Sequence, residues 1–293
     1  MRYSYYPGCS LKTTASQYDS STRAVMARLG CELEELEDWS CCGSTASEVV
    51  SPLLSSALAA RNLALADARG QELVTTCSGC FLNLFRLRSR LQRDRELERK
   101  LSQVLSQVGL HYTGKARVRH LLEVIATDIG VDAVQRQVVR PLQGLKVVPY
   151  YGCLVVRPYA EFDGPDLPVS MDRLIEAAGA ETVPFMMKTR CCGGTLITTK
   201  KSVGLKLICD ILQPAAGADC IVTVCPLCQL NLDAYQSMAA KELGIRLDIP
   251  VLFLTQLIGL AFGLPEEDVK CSQNIVSAEK MLSRLDRGAP APA

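Results

Sequence analysis

The sequence predicts an α/β protein made of two similar halves, each with a short parallel sheet flanked by helices. Two observations predict this class. Short β-rich runs alternate with stretches of helical periodicity, and one arrangement of cysteines occurs twice in the 293 residues. The turn signal Pro141-Leu142-Gln143-Gly144 divides the chain into residues 1–143 and 144–293, and each part is long enough to bury a core.

In the first half, predicted strands lead into cysteine turns and helices follow them. Pro52 is expected in the first turn of one helix and Gly70 at its end. Another helix is expected to begin at about Cys80, and the charged stretch that follows it predicts a solvated helix ending at Gly109. The predicted strands are residues 2–6 and 72–76, and the other predicted helices are residues 17–29, 48–69, 86–110 and 121–139.

The second half repeats this order. Its predicted strands are residues 145–151 and 220–224, and its predicted helices are residues 169–178, residues 202–212 and a helix from Pro226. The apolar stretch 251–264 is shorter than the roughly 20 residues that span a bilayer. It therefore predicts a buried helix or a contact between subunits rather than a membrane span. The tail from Arg287 is predicted to be disordered.

Ten of the fourteen cysteines form two sets of five. Ligands of open parallel sheets commonly lie at the carboxyl ends of strands, where these cysteines fall, and a following helix N-terminus favours thiolate. The remaining cysteines, Cys31, Cys209, Cys220 and Cys271, are interpreted as small buried hydrophobic residues. The first set is Cys9, Cys41, Cys42, Cys77 and Cys80, and the second is Cys153, Cys191, Cys192, Cys225 and Cys228.

The number of thiols in each set favours an iron–sulfur cluster over zinc. Structural zinc takes four ligands, and an ordinary four-iron cubane also takes four thiolates. A fifth cysteine therefore indicates either one idle thiol or a cluster that departs from the cubane. Zinc and dithiol redox pairs remain alternatives. So many cysteines without a recognisable secretory leader predict a protein of the reducing cytoplasm, where they serve as ligands or redox groups.

Several other function classes are disfavoured. The formal net charge of +1 gives no reason to expect nucleic-acid binding. No phosphate loop or Gly-x-Gly-x-x-Gly motif appears. The two histidines, His111 and His120, lie between the halves and are predicted to be surface or structural residues, with neither beside a candidate nucleophile.

Each half carries a lone cysteine, a Cys-Cys-Gly motif and a Cys-x-x-Cys motif, and this pattern resembles the cysteine-rich CCG domain. The two copies, with Tyr5-Tyr6-Pro7-Gly8-Cys9 and Tyr150-Tyr151-Gly152-Cys153, are similar to the B subunit of heterodisulfide reductase. The resemblance covers nearly the whole chain and no cysteine of the pattern is missing.

This resemblance implies two noncubane [4Fe-4S] clusters that face each other, one held by each set of five cysteines. It further implies a catalytic role, in which a small disulfide is reduced, or thiols are oxidised, between the clusters. The implied partners are the other two subunits of such a complex, a ferredoxin-like [4Fe-4S] C subunit and a flavin-bearing A subunit. Two alternatives stay open: the same machinery acting on another substrate in a bacterial complex, and an electron-transfer or docking protein with zinc in one half.

Five further residues are candidate substrate contacts. Gly43, Gly193 and Gly194 follow the cysteine pairs, where a missing side chain would admit a substrate sulfur or where a turn requires positive φ. Lys188 and Arg190 precede the second pair, and they predict that an anionic part of the substrate lies nearer that set. Ordinary surface charge is the alternative interpretation.

Overall fold

The computed structural model describes residues 1–44 and 46–288. Strands and helices alternate, and the two halves have matching orders of elements. Residues Val124–Ile129 are π-helical, and Ser10–Lys12 and Cys271–Gln273 are 3-10 turns. The elements are β1 Arg2–Tyr6, α1 Ser16–Arg28, β2 Glu32–Glu35, α2 Ala46–Val50, α3 Pro52–Arg69, β3 Leu73–Thr75, α4 Ser78–Leu91, α5 Arg95–Ser106, β4 Val118–His120, α6 Leu121–Glu123, α7 Val131–Arg136, β5 Lys146–Tyr150, α8 Ser170–Ala177, β6 Glu181–Thr182, α9 Leu196–Thr199, α10 Lys201–Ala215, β7 Cys220–Thr223, α11 Pro226–Ala234, α12 Gln236–Leu243, β8 Val251–Phe253, α13 Leu254–Ala261, α14 Glu266–Val269 and α15 Glu279–Gly288.

The strands form two four-stranded parallel sheets with the same topology. The first has the order β2-β1-β3-β4 and the second the order β6-β5-β7-β8. The identical order is the structural counterpart of the repeated cysteine pattern, and the α/β class predicted from the sequence is confirmed. Because all strands in a sheet run in one direction, the loops after them gather at one edge.

Local capping explains where several predicted helices divide. Ser51 Oγ accepts a hydrogen bond from Leu54 N at 3.3 Å, and Pro52 starts α3, so the predicted helix 48–69 becomes α2 and α3. Asp94 caps α5 through Leu97 N at 3.0 Å, which separates α5 from α4. The helix predicted to stop before Pro214 instead continues to Ala215.

The apolar stretch 251–264 is partly strand. Its first three residues form β8, and the next eight form α13, in which every residue is buried. The expectation of a buried helix is confirmed for α13. The side chains of α13 are covered by other parts of the same chain. This helix therefore exposes no surface for the alternative, a contact between subunits. No helix within residues 1–44 and 46–288 is long and apolar enough to cross a membrane.

Helices that follow the fourth strands pack across the two halves. The helix α13 contacts α1 of the first half, while α6 and α7 contact α8 of the second. Val25, Met26, Ile175 and Ile258 belong to one shared core. The division at residue 144 falls between the two sheets, in the turn before β5, and remains a proposal about folding units. The last five residues of the predicted tail lie outside the described residues.

Candidate functional site

The loops that carry the cysteines lie after the first, second and third strands of each half. Cys9 follows β1, the pair at 41–42 follows β2, and Cys77 occupies the N-cap position of α4 without a side-chain capping hydrogen bond. The second half repeats the arrangement, with Cys225 capping α11. Exposure follows the repeat as well: the first thiol of each pair is exposed, and the second is buried. Each set is therefore reachable from solvent on one side and anchored in the core on the other.

Thiols of the first set interact with one another. Hydrogen bonds from the thiols of Cys41 and Cys80 lower the pKa of Cys42 well below that of an ordinary thiol. Burial raises the pKa of the Tyr6 hydroxyl, and the nearby charges of Cys80, Cys42, Cys41 and Cys9 raise it further. Four cysteines from three loops thus lie near enough to one tyrosine for their charges to act on its hydroxyl.

The second set has a matching arrangement. Cys192 Sγ and Cys228 Sγ are 3.5 Å apart. A hydrogen bond with Cys153 lowers the pKa of Cys191 to about 6, and the Gly193 N–H and the Arg190 charge contribute in the same direction. The Gly193 N–H donates to Cys191 Sγ at 3.3 Å. Hydrogen bonding with Cys191 raises the pKa of Cys153, and hydrogen bonding with Cys192 and Cys225 raises that of Cys228, so this set mixes thiols that favour the anion with thiols that keep their proton.

The two sets meet at the Cys-x-x-Cys motifs. A hydrogen bond with the Cys225 thiol raises the pKa of Cys77. Hydrogen bonds from the thiols of Cys228 and then Cys77 lower the pKa of Cys225. Burial raises the pKa of Tyr18, and the charges of Cys225 and Cys77 raise it further. The Ser78 hydroxyl, next to Cys77, donates to the carbonyl of Val224, next to Cys225, at 3.3 Å, so the loops of the two halves face each other.

Two glycines lie against sulfur atoms. A Cβ at Gly8 would be 3.1 Å from Cys80 Sγ, and one at Gly152 would be 3.0 Å from Cys228 Sγ. Both have positive φ, at +76° and +71°. Any larger residue would push on a thiol while straining the backbone. Both directly precede the first cysteine of their set and belong to the motifs that carry the family resemblance, but the sequence alone indicated no role for them.

The glycines after the cysteine pairs have different neighbours. All three have positive φ. A Cβ at Gly43 would meet Ser55 Cα at 3.1 Å, and one at Gly193 would meet Gly204 Cα at 3.3 Å. The nearest atom to a Cβ at Gly194 is in a leucine, 3.9 Å away. Gly43 and Gly193 thus allow the cysteine loop to pass closely over a helix.

Tyrosine and asparagine side chains fix the cysteine-pair loops. The Tyr6 hydroxyl donates to the Ser40 carbonyl at 2.8 Å, and Tyr150 donates to the Arg190 carbonyl at 2.6 Å. These carbonyls belong to the residues just before the pairs. In the first half, Asn83 Nδ2 donates to the carbonyl of Cys42, the second cysteine of the pair, at 2.5 Å.

In the second half, Asn231 does the same for the Cys192 carbonyl at 3.1 Å and also donates to the Gly194 carbonyl at 2.9 Å. Sequence reasoning missed both asparagines. The signal that marks them is the repeated spacing Cys-x-x-Cys-x-x-Asn-Leu.

The two candidate basic residues have different surroundings. Lys188 forms an ion pair with Asp172, and its side chain is 13% exposed. Its Nζ also donates to the Pro168 carbonyl at 3.3 Å. Arg190 is exposed and lies close enough to lower the pKa of Cys191. Of these two basic residues, only Arg190 presents its charge to the cysteines without an intervening carboxylate partner in the described part of the chain.

The interpretation of His120 requires correction. The sequence predicts that it lies away from any candidate nucleophile, but it is fully buried at the end of β4, where the charge of Cys225 acts on it. Burial dominates and lowers its pKa to about 4. Because β4 is short and contains Arg119 and His120, no apolar pattern marks it, and the position of His120 emerges only from the fold. His111 is exposed, as expected.

The donor chemistry of each set fits an iron–sulfur cluster. Each offers five cysteine sulfurs from three loops, with a tyrosine and an asparagine holding the loops in place, and thiolates are the usual ligands of such clusters. In the described ranges 1–44 and 46–288, no three His, Cys, Asp or Glu side chains converge as around a single metal ion.

Comparison with known proteins agrees with the duplicated architecture. The family model of the cysteine-rich domain, CCG, matches residues 3–85 and 147–233. The chain belongs to the family of proteins with two CCG cysteine-rich domains that includes the B subunit of heterodisulfide reductase. The resemblance inferred from the cysteine motifs is thereby confirmed.

Three relatives align over nearly their whole length. One is the 8-methylmenaquinol:fumarate reductase membrane anchor subunit of Wolinella succinogenes, 36% identical over 95% of this chain and 98% of the relative. Another is the B subunit of the ferredoxin/F420H2-dependent CoB-CoM heterodisulfide reductase of Methanosarcina acetivorans, 30% identical over 97% of both chains. A protein of Archaeoglobus profundus, described as like the heterodisulfide reductase B subunit, is 32% identical over 92% of this chain and 93% of the relative.

Among solved structures, a hypothetical protein from Helicobacter pylori has the same fold. It superposes with a TM-score of 0.74 at 15% identity, covering 94% of this chain and 52% of the other. This chain therefore corresponds to about half of that longer protein. At this level of identity the likeness concerns the fold alone.

Proposed function

We propose that this chain is the catalytic subunit of a heterodisulfide reductase-type complex, in which a small disulfide is reduced, or two thiols are oxidised, between two noncubane [4Fe-4S] clusters. The observation that carries the proposal is the contact between the two five-cysteine sets at Cys77 and Cys225, where the Ser78 hydroxyl donates to the Val224 carbonyl at 3.3 Å. A disulfide has two sulfurs, and the fold brings two equivalent thiolate-rich sites together.

The roles of the residues follow from their positions. When bound, such clusters supply one-electron transfer and an iron atom to which sulfur can bind. The ten cysteines would be the ligands, and Tyr6, Tyr150, Asn83 and Asn231 would fix the loops that present them. Reduction of R–S–S–R′ by two electrons breaks the sulfur–sulfur bond and yields two thiolates, so one product sulfur can go to each half.

The protein's own charges suggest how substrate is oriented. Arg190 is exposed beside Cys191, and we propose that it attracts an anionic part of the substrate. For Lys188 to contribute, the substrate anion would have to compete with Asp172. Replacing Arg190 and Lys188 by Gln should raise the KM for an anionic disulfide and leave that for an uncharged disulfide unchanged; equal KM values for the anionic disulfide would refute this part.

The electron donors are proposed by analogy with the relatives. Names of two relatives refer to ferredoxin and to CoB-CoM heterodisulfide reductase. We propose a ferredoxin-like C subunit and a flavin-bearing A subunit as partners of this chain. The many free thiols are consistent with a reducing compartment, and we therefore propose a cytoplasmic location.

A second candidate function is supported by the Wolinella relative. That protein is named as part of an 8-methylmenaquinol:fumarate reductase, and its identity to this chain is 36%. On this hypothesis the cysteine sets hold redox centres, or zinc in one half, and the chain passes electrons or docks other subunits without turning over a disulfide.

Electron paramagnetic resonance of the purified, iron-loaded protein distinguishes the two functions. A thiol substrate should alter the iron signal if sulfur binds at a cluster, and Cys77→Ser or Cys225→Ser should abolish the change. Cys31→Ser is the matched control, because Cys31 is buried outside both sets. An unaltered signal, together with no reduction of any small disulfide by a chemical electron donor, would favour the electron-transfer hypothesis.

A further inference from the structure

The internal repeat is broken at two neighbouring positions beside the cysteines. Ser78 begins α4 in the first half, whereas Pro226 begins α11 at the equivalent position. His120 ends β4 opposite Thr75, whereas Phe253 ends β8 opposite Thr223. The first half thus has two polar residues where the second has two apolar ones.

His120 makes polar contacts through both ring nitrogens. The Leu122 N–H donates to Nδ1 at 3.1 Å, which leaves the proton of the neutral ring on Nε2. That Nε2 lies 3.4 Å from Ser78 Oγ, so Nε2–H donates and the hydroxyl accepts. Burial keeps the ring neutral near pH 7, since it lowers the pKa of His120 to about 4.

The hydrogen bonds continue into the other half. The Ser78 hydroxyl donates to the Val224 carbonyl at 3.3 Å. Ser78 follows Cys77 and Val224 precedes Cys225, so His120 is linked through Ser78 to the backbone beside the facing cysteine of each set.

We infer that His120 and Ser78 form a clasp between the two halves, which fixes the Cys77 loop against the Cys225 loop and thereby sets the spacing of the two cysteine sets. This is a positioning role. The clasp acts on the Val224 carbonyl through Ser78 and is independent of any metal. The effect of the clasp on disulfide chemistry rests on the proposed function, because the distance between the two cysteine sets matters for catalysis only if both sets hold redox centres.

A purely apolar packing role makes a different prediction. Phe253 occupies the equivalent position in the second half and stacks on Tyr18 with ring centroids 4.0 Å apart. His120 likewise packs edge-on against Phe81, at 5.7 Å between centroids. If packing were its whole role, His120→Phe would be well tolerated and the Cys225 loop would not respond.

The clasp is tested by amide hydrogen exchange in the metal-free full chain. His120→Phe should speed exchange in peptides covering residues 76–80 and 224–228 by about two- to tenfold, the range expected for losing a net hydrogen bond. Ser78→Ala should act mainly on residues 224–228. His120→Gln retains an amide donor and should restore most of the protection. His111→Phe, at the exposed histidine, is the control and should change neither peptide.

The same variants are then compared in the iron-loaded protein. His120→Phe should retain its iron but change the paramagnetic resonance spectrum, and His120→Gln should return it toward the wild-type spectrum. Unchanged exchange at residues 224–228 in both His120→Phe and Ser78→Ala, or no rescue by Gln, would overturn the clasp. If His120→Phe does not fold, Ser78→Ala decides the question. If the purified wild-type protein contains no iron, the proposed function is refuted. The exchange test of the clasp still applies, because it uses the metal-free chain.

Discussion

Gly152 provides a specific test of how the backbone accommodates the second cysteine set. Gly152→Ala would place a Cβ 3.0 Å from Cys228 Sγ, at a residue with φ +71°. Gly144→Ala is the matched control: its φ is +76°, and a Cβ there would have no neighbour within 4 Å. The two substitutions share the backbone strain, and only one presses on a sulfur atom.

The magnitude follows from these two contributions. A left-handed backbone costs an ordinary L-residue about 1–2 kcal/mol, so both variants should lose about that much free energy of unfolding. A Cβ to Sγ separation of 3.0 Å is shorter than carbon–sulfur packing allows, so in Gly152→Ala the Cys228 sulfur or the loop must shift. A shifted ligand should weaken metal binding at the second set alone.

The assay combines urea unfolding with iron analysis of the same preparations. Both variants should unfold at similarly reduced urea concentrations, while Gly152→Ala retains about half of the wild-type iron and Gly144→Ala retains all of it. Gly8→Ala, with its Cβ 3.1 Å from Cys80 Sγ, should lose the other half. Full iron in Gly152→Ala, or an equal loss in Gly144→Ala, would refute the reasoning.

Three further predictions concern polar groups held by hydrogen bonds or ion pairs. Asn231→Ala should lower the free energy of unfolding by about 1–3 kcal/mol in urea, because it removes the amide donor of the Cys192 carbonyl. Arg119→Met should cost about 3 kcal/mol in the same assay, because Glu123 is 3% exposed and would keep only Arg117, whose side chain is 51% exposed; a loss below about 1 kcal/mol would contradict this. Hydrogen bonding to Arg119 lowers the pKa of Asp128 from 3.8 to about 2. The ionised carboxylate therefore contributes its full stabilisation above pH 3.8, and this stabilisation is lost as the pH falls toward 2. Asp128→Asn should flatten the dependence of unfolding free energy on pH in that interval, and an unchanged slope would count against it.

The central strands can be predicted from sequence because their signal is local. The strands β1, β3, β5 and β7 are apolar runs that lead into cysteines, and the predicted bounds agree with the observed ones to within about one residue. The edge strands β2 and β6 escape prediction. Glu32–Glu35 and Glu181–Thr182 are largely charged and incompletely buried, so no alternating apolar pattern marks them.

The two fourth strands escape prediction for opposite reasons. Within β4, Arg119 and His120 are polar yet buried, and their burial depends on ion pairs and hydrogen bonds that form only in the folded chain. Within β8, three apolar residues continue directly into the apolar helix α13, and periodicity alone cannot separate a short buried strand from a buried helix.

The candidate site shows the same division between local and tertiary information. The cysteines can be identified by number and spacing. Tyr6 and Asn231 donate to backbone carbonyls 34 and 39 positions away. Ser78 joins His120, 42 positions away, to the Val224 carbonyl, 146 positions away. Such contacts leave no spacing rule in a single sequence, although the repeat marks the tyrosine and asparagine in both halves.

Iron and acid-labile sulfide analysis of the purified wild-type chain tests the central claim most directly. Two four-iron clusters predict about eight iron atoms per chain with a similar amount of sulfide. About four would mean that one five-cysteine set lacks its cluster. Zinc without labile sulfide would contradict the account, because the two facing cysteine sets would then hold no redox centres.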